Sequence, residues 1–240
     1  MEFSYIVERS VEDANSIKID NAYRFVAQSA MCVGIKAEDG VLLAAEREFV
    51  GSSVATAPHS TYSQKIFQIN TNVVCALAGL SSDALALIKK AREMAQIYEE
   101  HVNEPMPCTS VATQLCNAKR TYIEAGGLHV FAVSILYMGW DARYGFQLRQ
   151  SEPFGYHSEC MATCVGKNSN VVISMLHEEL AGKEKIMLDE AKDVLVKVLD
   201  KTAPDFKPEN FEVATLQRVG GTTVYELFDV AEEEELVQQT

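Results

Sequence analysis

The stretch from Ala30 to Glu46 constrains this chain more than any other. Two apolar runs, Met31 to Ile35 and Val41 to Ala45, flank a polar turn that ends in Asp39-Gly40. Asp-Gly between β-prone runs favours a tight hairpin, because glycine adopts the positive φ that such a turn needs. Runs this apolar place the hairpin in the interior, near the middle of a sheet.

The rest of the chain supplies partners for that hairpin. Ile17 to Ser29 has helical spacing, with Ile17, Ala22, Phe25, Val26 and Ser29 roughly on one side and Asp13 or Ser16 as caps. About 14 residues is marginal for a lone helix, so this one must pack on something, another subunit included. Val50 to Gln64 is rich in Ser, Thr and Ala, holds Pro58 and reads as a surface loop. Lys65 to Ile69 and Val73 to Ala78 form a second hairpin across Asn70-Thr71-Asn72. Ser81-Ser82-Asp83 then caps a long helix with the stripe Leu85, Ile88, Ala91, Ala95, Tyr98 and Val102. Pro105 and Pro107 end it. A further helix starts near Thr109 with Val111, Leu115, Ala118 and Tyr122 inward, and Gly126-Gly127 stops it.

Val130 to Met138 is apolar on both faces, Phe131, Val133, Ile135 and Tyr137 on one and Ala132, Leu136 and Met138 on the other. A strand of that kind is covered on both sides. Phe146 to Gln150 and Met161 to Val165 continue its sheet. Two helices follow, marked by Val172, Met175, Leu176 and Leu180 and by Ala191, Val194, Leu195, Val198 and Leu199. A last hairpin, Phe211 to Val219 and Thr222 to Phe228, turns at Gly220-Gly221. Doubly covered strands between paired helices predict an α+β four-layer αββα sandwich, two stacked sheets between helical layers, in a single domain spanning 1–240.

Charge and cysteine usage narrow the function. With 34 acidic against 21 basic residues the formal net charge is −13. Such a surface repels phosphates, so nucleic acid is not an expected partner. No apolar run reaches the 18 or so residues of a membrane span, and the first residues lack the pattern of a secretory signal, so no membrane is expected. The six cysteines, at 32, 75, 108, 116, 160 and 164, are scattered and read as reduced thiols, which fits the cytoplasm and nucleus.

No set of residues announces catalysis. His157, Cys160 and Cys164 have spacings that could suit a metal, but Cys164 lies in an apolar strand and a fourth ligand is missing. Gly166-Lys167 lacks the rest of a phosphate loop, since Asn168 follows and position 161 is methionine. His59, His101, His129 and His177 stand apart, and Glu93, Glu99 and Glu100 form a solvated helix face. Neither a metal nor a cofactor is expected.

Several motifs together resemble proteasome α subunits. They are Gly139-Trp140-Asp141 with Tyr144 to Leu148 and Ser151-Glu152-Pro153, Ala162 to Gly166, Ser81-Ser82-Asp83-Ala84, and Asp39 to Glu46. The likeness runs in register from about Ala22 to Phe228. It implies a nucleophile-hydrolase-type sandwich core over 31–228, preceded by a gate-type mobile N-terminus over 1–14 and a helix over 15–30, and followed by an acidic tail over 229–240. The N-terminus departs from the family pattern, with Phe3-Ser4-Tyr5 near its first element and Glu12 near its usual proline.

In the family's active β subunits a threonine starts the hairpin, and its own α-amine serves as base. Aligned on the hairpin, Ala30 takes the threonine's place, Glu46 stands at the aspartate position, and no lysine lies between Lys36 and Lys65. The resemblance therefore implies no catalytic residue here. The rival reading is an active, free-standing N-terminal nucleophile hydrolase created by cleavage before Ser29 or Cys32. The resemblance also implies that Lys65, Gly79 and Leu80 form a pocket for the C-terminal carboxylate of activator tails. Ile17, Ile19, Phe25 and Val26 would make ring contacts. The implied partners are other α subunits in a heteroheptameric ring, β subunits below it, regulatory-particle ATPases or other activators, and unfolded polypeptides in transit.

Overall fold

The computed structural model describes residues 16–48, 63–124, 129–183, 185–202 and 210–229. The expectations for 1–14, for the loop up to residue 62, for Gly126-Gly127, for His59 and for the acidic tail after Asp229 fall outside these residues.

Helix α1 covers residues 16–28. Strands β1 (Cys32–Lys36), β2 (Gly40–Glu46), β3 (Ile66–Asn70) and β4 (Val73–Gly79) follow, then α2 (Ser81–Val102) and α3 (Cys108–Glu124). The second half runs β5 (Val133–Asp141), β6 (Gly145–Ser151), β7 (His157–Glu159), β8 (Ala162–Val165), α4 (Ser169–Leu180), α5 (Leu188–Thr202), β9 (Phe211–Val219) and β10 (Thr222–Asp229). Two five-stranded antiparallel sheets result, with orders β10-β9-β2-β1-β8 and β3-β4-β5-β6-β7. The opening hairpin is central in the first sheet, as its apolar runs predict, but Gly40 is already the first residue of β2 and does not take the positive φ expected of it.

Alternation along each strand builds the layers. Cys32, Leu43, Ala45 and Leu216 of the first sheet pack against Val74, Ala76, Leu136 and Met138 of the second. The opposite faces carry the helices: Val33, Ile35, Leu42 and Ala44 meet α4 and α5 through Val172, Leu176, Leu195 and Val198. Cys75, Leu77, Ile135 and Tyr137 meet α2 and α3 through Leu87, Ala91, Val111 and Leu115. Both faces of β5 fill as expected, and burying each large side chain contributes about 1.5–3 kcal/mol. The turn also works outward: Asp39 Oδ1 accepts the backbone N–H of Leu188 at 2.8 Å, capping α5.

Several local expectations are corrected. Met161 to Val165 does not extend the sheet of β5 and β6. A short strand absent from the sequence reading, β7, closes that edge, and β8 crosses to pair with β1, Cys32 opposite Val165. Ser81-Ser82-Asp83 does not cap α2; Leu80 holds the N-cap position without a side-chain bond. Asp83 instead accepts from Ala132 N and pairs with His129 Nε2, both at 3.0 Å, fixing the approach to β5. The buried stripe of α2 is Ala84, Leu87, Ile88, Ala91 and Ala95, so Leu85 and Val102 face out. On α3 the inward set includes Ala112, Cys116, Lys119 and Ile123, while Tyr122 is exposed. Ser16 is already helical and is not the cap. The six cysteines are free thiols, five of them buried.

Candidate functional site

The place where the hairpin begins is chemically silent. Ala30 is buried and offers only its backbone: its N–H donates to Glu48 Oε1 at 3.4 Å. Met31 N donates to Glu46 Oε2 at 3.3 Å, and Lys167 Nζ meets Glu46 Oε1 at 2.6 Å. The acidic residue at the aspartate position is therefore held by the chain itself. Gly166, at φ +99°, lets the backbone pass Ala30 closely, since a Cβ there would lie 2.7 Å from Ala30 O. Lys167 N then donates to Ser29 O at 2.9 Å. On its N-terminal side Ala30 is joined through Ser29 to α1.

Ser29 and Cys32 are no better placed to react. The Ser29 hydroxyl donates to Val26 O at 2.7 Å and is buried. The Cys32 thiol donates to Leu77 O at 3.3 Å, and burial pushes its pKa well above the usual thiol value. A thiol kept protonated is a poor nucleophile.

Beside this position lies a cavity that holds a fixed cation. Glu212 Oε2, on β9, accepts the backbone N–H groups of Lys65 and Ile66 at 3.1 and 3.0 Å. Glu212 Oε1 lies 3.6 Å from Arg47 Nε. Leu77 N donates to Lys65 O at 3.1 Å. So anchored, the Lys65 side chain is 5 % exposed, and its Nζ meets Glu48 Oε2 at 3.0 Å. Lys65 and Gly79 line a cavity of about 240 Å³ with Phe67, Leu77, Ser81 and Leu85. Gly79 also lines a neighbouring cavity of about 320 Å³ with Phe25, Ser29, Glu48, Leu80 and Ser81. The structure thus brings Lys65 and Gly79 to one cavity and Leu80 to the next. Gly79 is required there: at φ +129° a Cβ would sit 2.0 Å from Ala132 O. Leu80 N donates to that same oxygen at 2.9 Å.

Of the four α1 residues, Ile17 and Phe25 are 62 % and 45 % exposed, while Val26 is 6 % exposed and packs inside the chain's own inter-sheet core. Its place on the inner side of α1 removes Val26 from any outer contact. Ile19 packs beside Ala22, Ile123 and Val130. Tyr23 OH donates to Glu152 Oε2 at 2.8 Å, tying α1 to the segment after β6.

The other candidates disperse. His157 is on β7 in one sheet and Cys164 on β8 in the other. The His157 ring faces Thr113 and Arg149, and burial, with the charges of Arg149 and Arg120, lowers its pKa. Burial pushes the Cys164 thiol up to about 12. No group of three or more metal-ligating side chains occurs among the described residues. His101 bonds Ile97 O, and His177 lines a cavity of about 570 Å³ with Lys36, Met161 and Lys183.

Sequence reasoning missed Glu48 and Glu212. Glu212 could have been found, as a lone charge in the apolar run Phe211 to Leu216; Glu48 carries no such signal.

Known proteins place this geometry. A family model described as "Proteasome subunit" matches residues 26–216. Proteasome subunit alpha type-4 of Drosophila melanogaster is 42 % identical over 226 residues, 92 % of this chain and 84 % of its own length. The protein of the same name in Dictyostelium discoideum is 37 % identical, covering 93 % and 89 %. A probable proteasome subunit alpha type-3 of Schizosaccharomyces pombe is 38 % identical, covering 84 % and 80 %. Two of these three relatives are α type-4 proteins. With its sandwich, its central hairpin and most of its length matched in this way, the chain belongs to the proteasome subunit family.

Proposed function

We propose that this chain is a non-catalytic α-ring subunit of the proteasome core particle, working in the cytoplasm and nucleus. The single observation that carries this reading is Ala30: where a nucleophile would begin the hairpin, there is a methyl group and an amide already bonded to Glu48. Its work is positioning and exclusion. With related α subunits it forms an outer ring, templates a ring of β subunits that carry the threonine chemistry, and limits the entry of unfolded polypeptides. The exposed Ile17 and Phe25 of α1 supply apolar contact to a ring neighbour. The Lys65 cavity receives the chain-end carboxylate of a regulator, because an ammonium recessed among apolar walls pairs with a carboxylate more strongly than an exposed one does.

Purification of the tagged full-length chain from its own cells tests this. We expect recovery in a particle with β-type subunits, an intact mass that retains α1, and no peptide hydrolysis by the isolated chain. A chain starting at Ser29 or Cys32 that hydrolyses peptides alone overturns the reading.

A further inference from the structure

We propose that Glu48 is a resident competitor for the Lys65 ammonium, so that a partner's chain-end carboxylate enters only by displacing it. The inference rests on the docking role given above to the Lys65 cavity. The two members of the pair are held unequally. Lys65 is fixed by its backbone, through Glu212 and Leu77, and its side chain is 5 % exposed. The Glu48 side chain is 43 % exposed and lies just beyond the end of β2. Among the described residues its second oxygen makes only the long 3.4 Å contact with Ala30 N. The cation is part of the scaffold, whereas the anion can turn away into water.

The pair also stands at a boundary. Lys65 lines one cavity and Glu48 the other, and Gly79 and Ser81 border both. Removing Glu48 without replacement would leave a buried ammonium uncompensated, which is strongly unfavourable. Exchange of one carboxylate for another conserves charge, so the site selects an anion. Glu212 is matched by Arg47, so the ammonium of Lys65 offers a single positive charge to an incoming group and suits a monoanion rather than a phosphate. The apolar walls, Phe67, Leu77, Ala84 and Leu85, fit an aliphatic last residue beside that carboxylate.

The test uses assembled particles carrying the wild-type chain, Glu48→Gln or Lys65→Met. The probe is an acetylated heptapeptide ending in leucine, with a photoreactive benzoylphenylalanine at its centre, made as the free acid and as the C-terminal amide. Cross-link yield on this subunit is followed against peptide concentration. Glu48→Gln keeps the side-chain volume and the acceptor for Ala30 N but removes the competing charge. We expect it to tighten half-saturation by the acid about fivefold and to leave the amide unchanged. Lys65→Met should abolish the preference for acid over amide. If Lys65→Met abolishes it but Glu48→Gln leaves binding of the acid unchanged or weaker, docking stands and the competitor is refuted. If the acid and the amide cross-link alike in all particles, or neither does, the docking role falls and the competitor with it.

Discussion

Glu212 holds Lys65 by its backbone: one carboxylate oxygen on β9 accepts the N–H groups of Lys65 and Ile66 where β3 begins. Because β9 and β3 lie in different sheets, this contact stitches the two layers together beside the cavity. Glu212→Ala leaves two buried donors without an acceptor and costs about 3 kcal/mol of stability. Urea denaturation of the purified chain measures the loss, and hydrogen exchange should show the Lys65 and Ile66 amides opening faster.

Gly79 is the second fixed point of the cavity. Its φ of +129° is open to glycine, and an added Cβ would meet Ala132 O at 2.0 Å. Gly79→Ala therefore must push β4 away from the segment that leads into β5. The expected cost is about 3 kcal/mol or more, read as a fall in thermal midpoint. Gly145→Ala is the control, since it shares a positive φ of +68° but has nothing within 4 Å of its Cβ; it should cost about 1 kcal/mol.

Lys119 is fully buried on α3 and donates from Nζ to Val133 O and Glu152 O at 2.9 and 3.1 Å. Burial lowers its pKa from 10.5 to about 8. Below pH 8 both the folded and unfolded chains carry the proton, and the folded state bears the whole desolvation penalty. Between pH 8 and 10.5 the unfolded chain binds more protons, so this group's contribution to stability rises with pH. Lys119→Met removes the effect. The stability of wild type relative to Lys119→Met should therefore increase by about 2 kcal/mol from pH 7 to pH 9.5, with groups common to both chains cancelling. Chemical denaturation of both chains at the two pH values checks the sign.

The same helix shows where reading the sequence stopped. Most strands were legible from period-two and continuous apolar runs, and Gly220-Gly221 does turn the last hairpin at positive φ. Gly40, in contrast, lies in β2 without the positive φ expected of it, and β5 begins three residues later than Val130. The facing of α3 was not legible. Ala118 and Tyr122 fit a helical stripe as well as Lys119 and Ile123 do, and a lysine is not expected inside until two backbone carbonyls are seen waiting for it. On α2, Leu85 and Leu87 posed the same choice. The crossing of β8 to the other sheet depends on β7, whose His157-Ser158-Glu159 has no apolar period. At the candidate site, Lys65 and Gly79 came from resemblance. Glu48 could come only from coordinates, because an ion pair between positions 48 and 65 leaves no trace in spacing.

Restoring the missing hydroxyl should not restore chemistry. In Ala30→Thr the new side chain would still follow an intact peptide bond from Ser29, so no α-amine would be present to act as its base. Glu46 would remain bonded to Met31 N and paired with Lys167, and Lys65 would remain paired with Glu48. Ala30 is buried, so the added atoms should cost about 1–3 kcal/mol. The expected outcome is a folded, less stable chain that retains α1 by intact mass and hydrolyses a fluorogenic peptide no faster than wild type. Hydrolysis accompanied by loss of α1 would mean that the framework still supports self-cleavage and lacks only the hydroxyl.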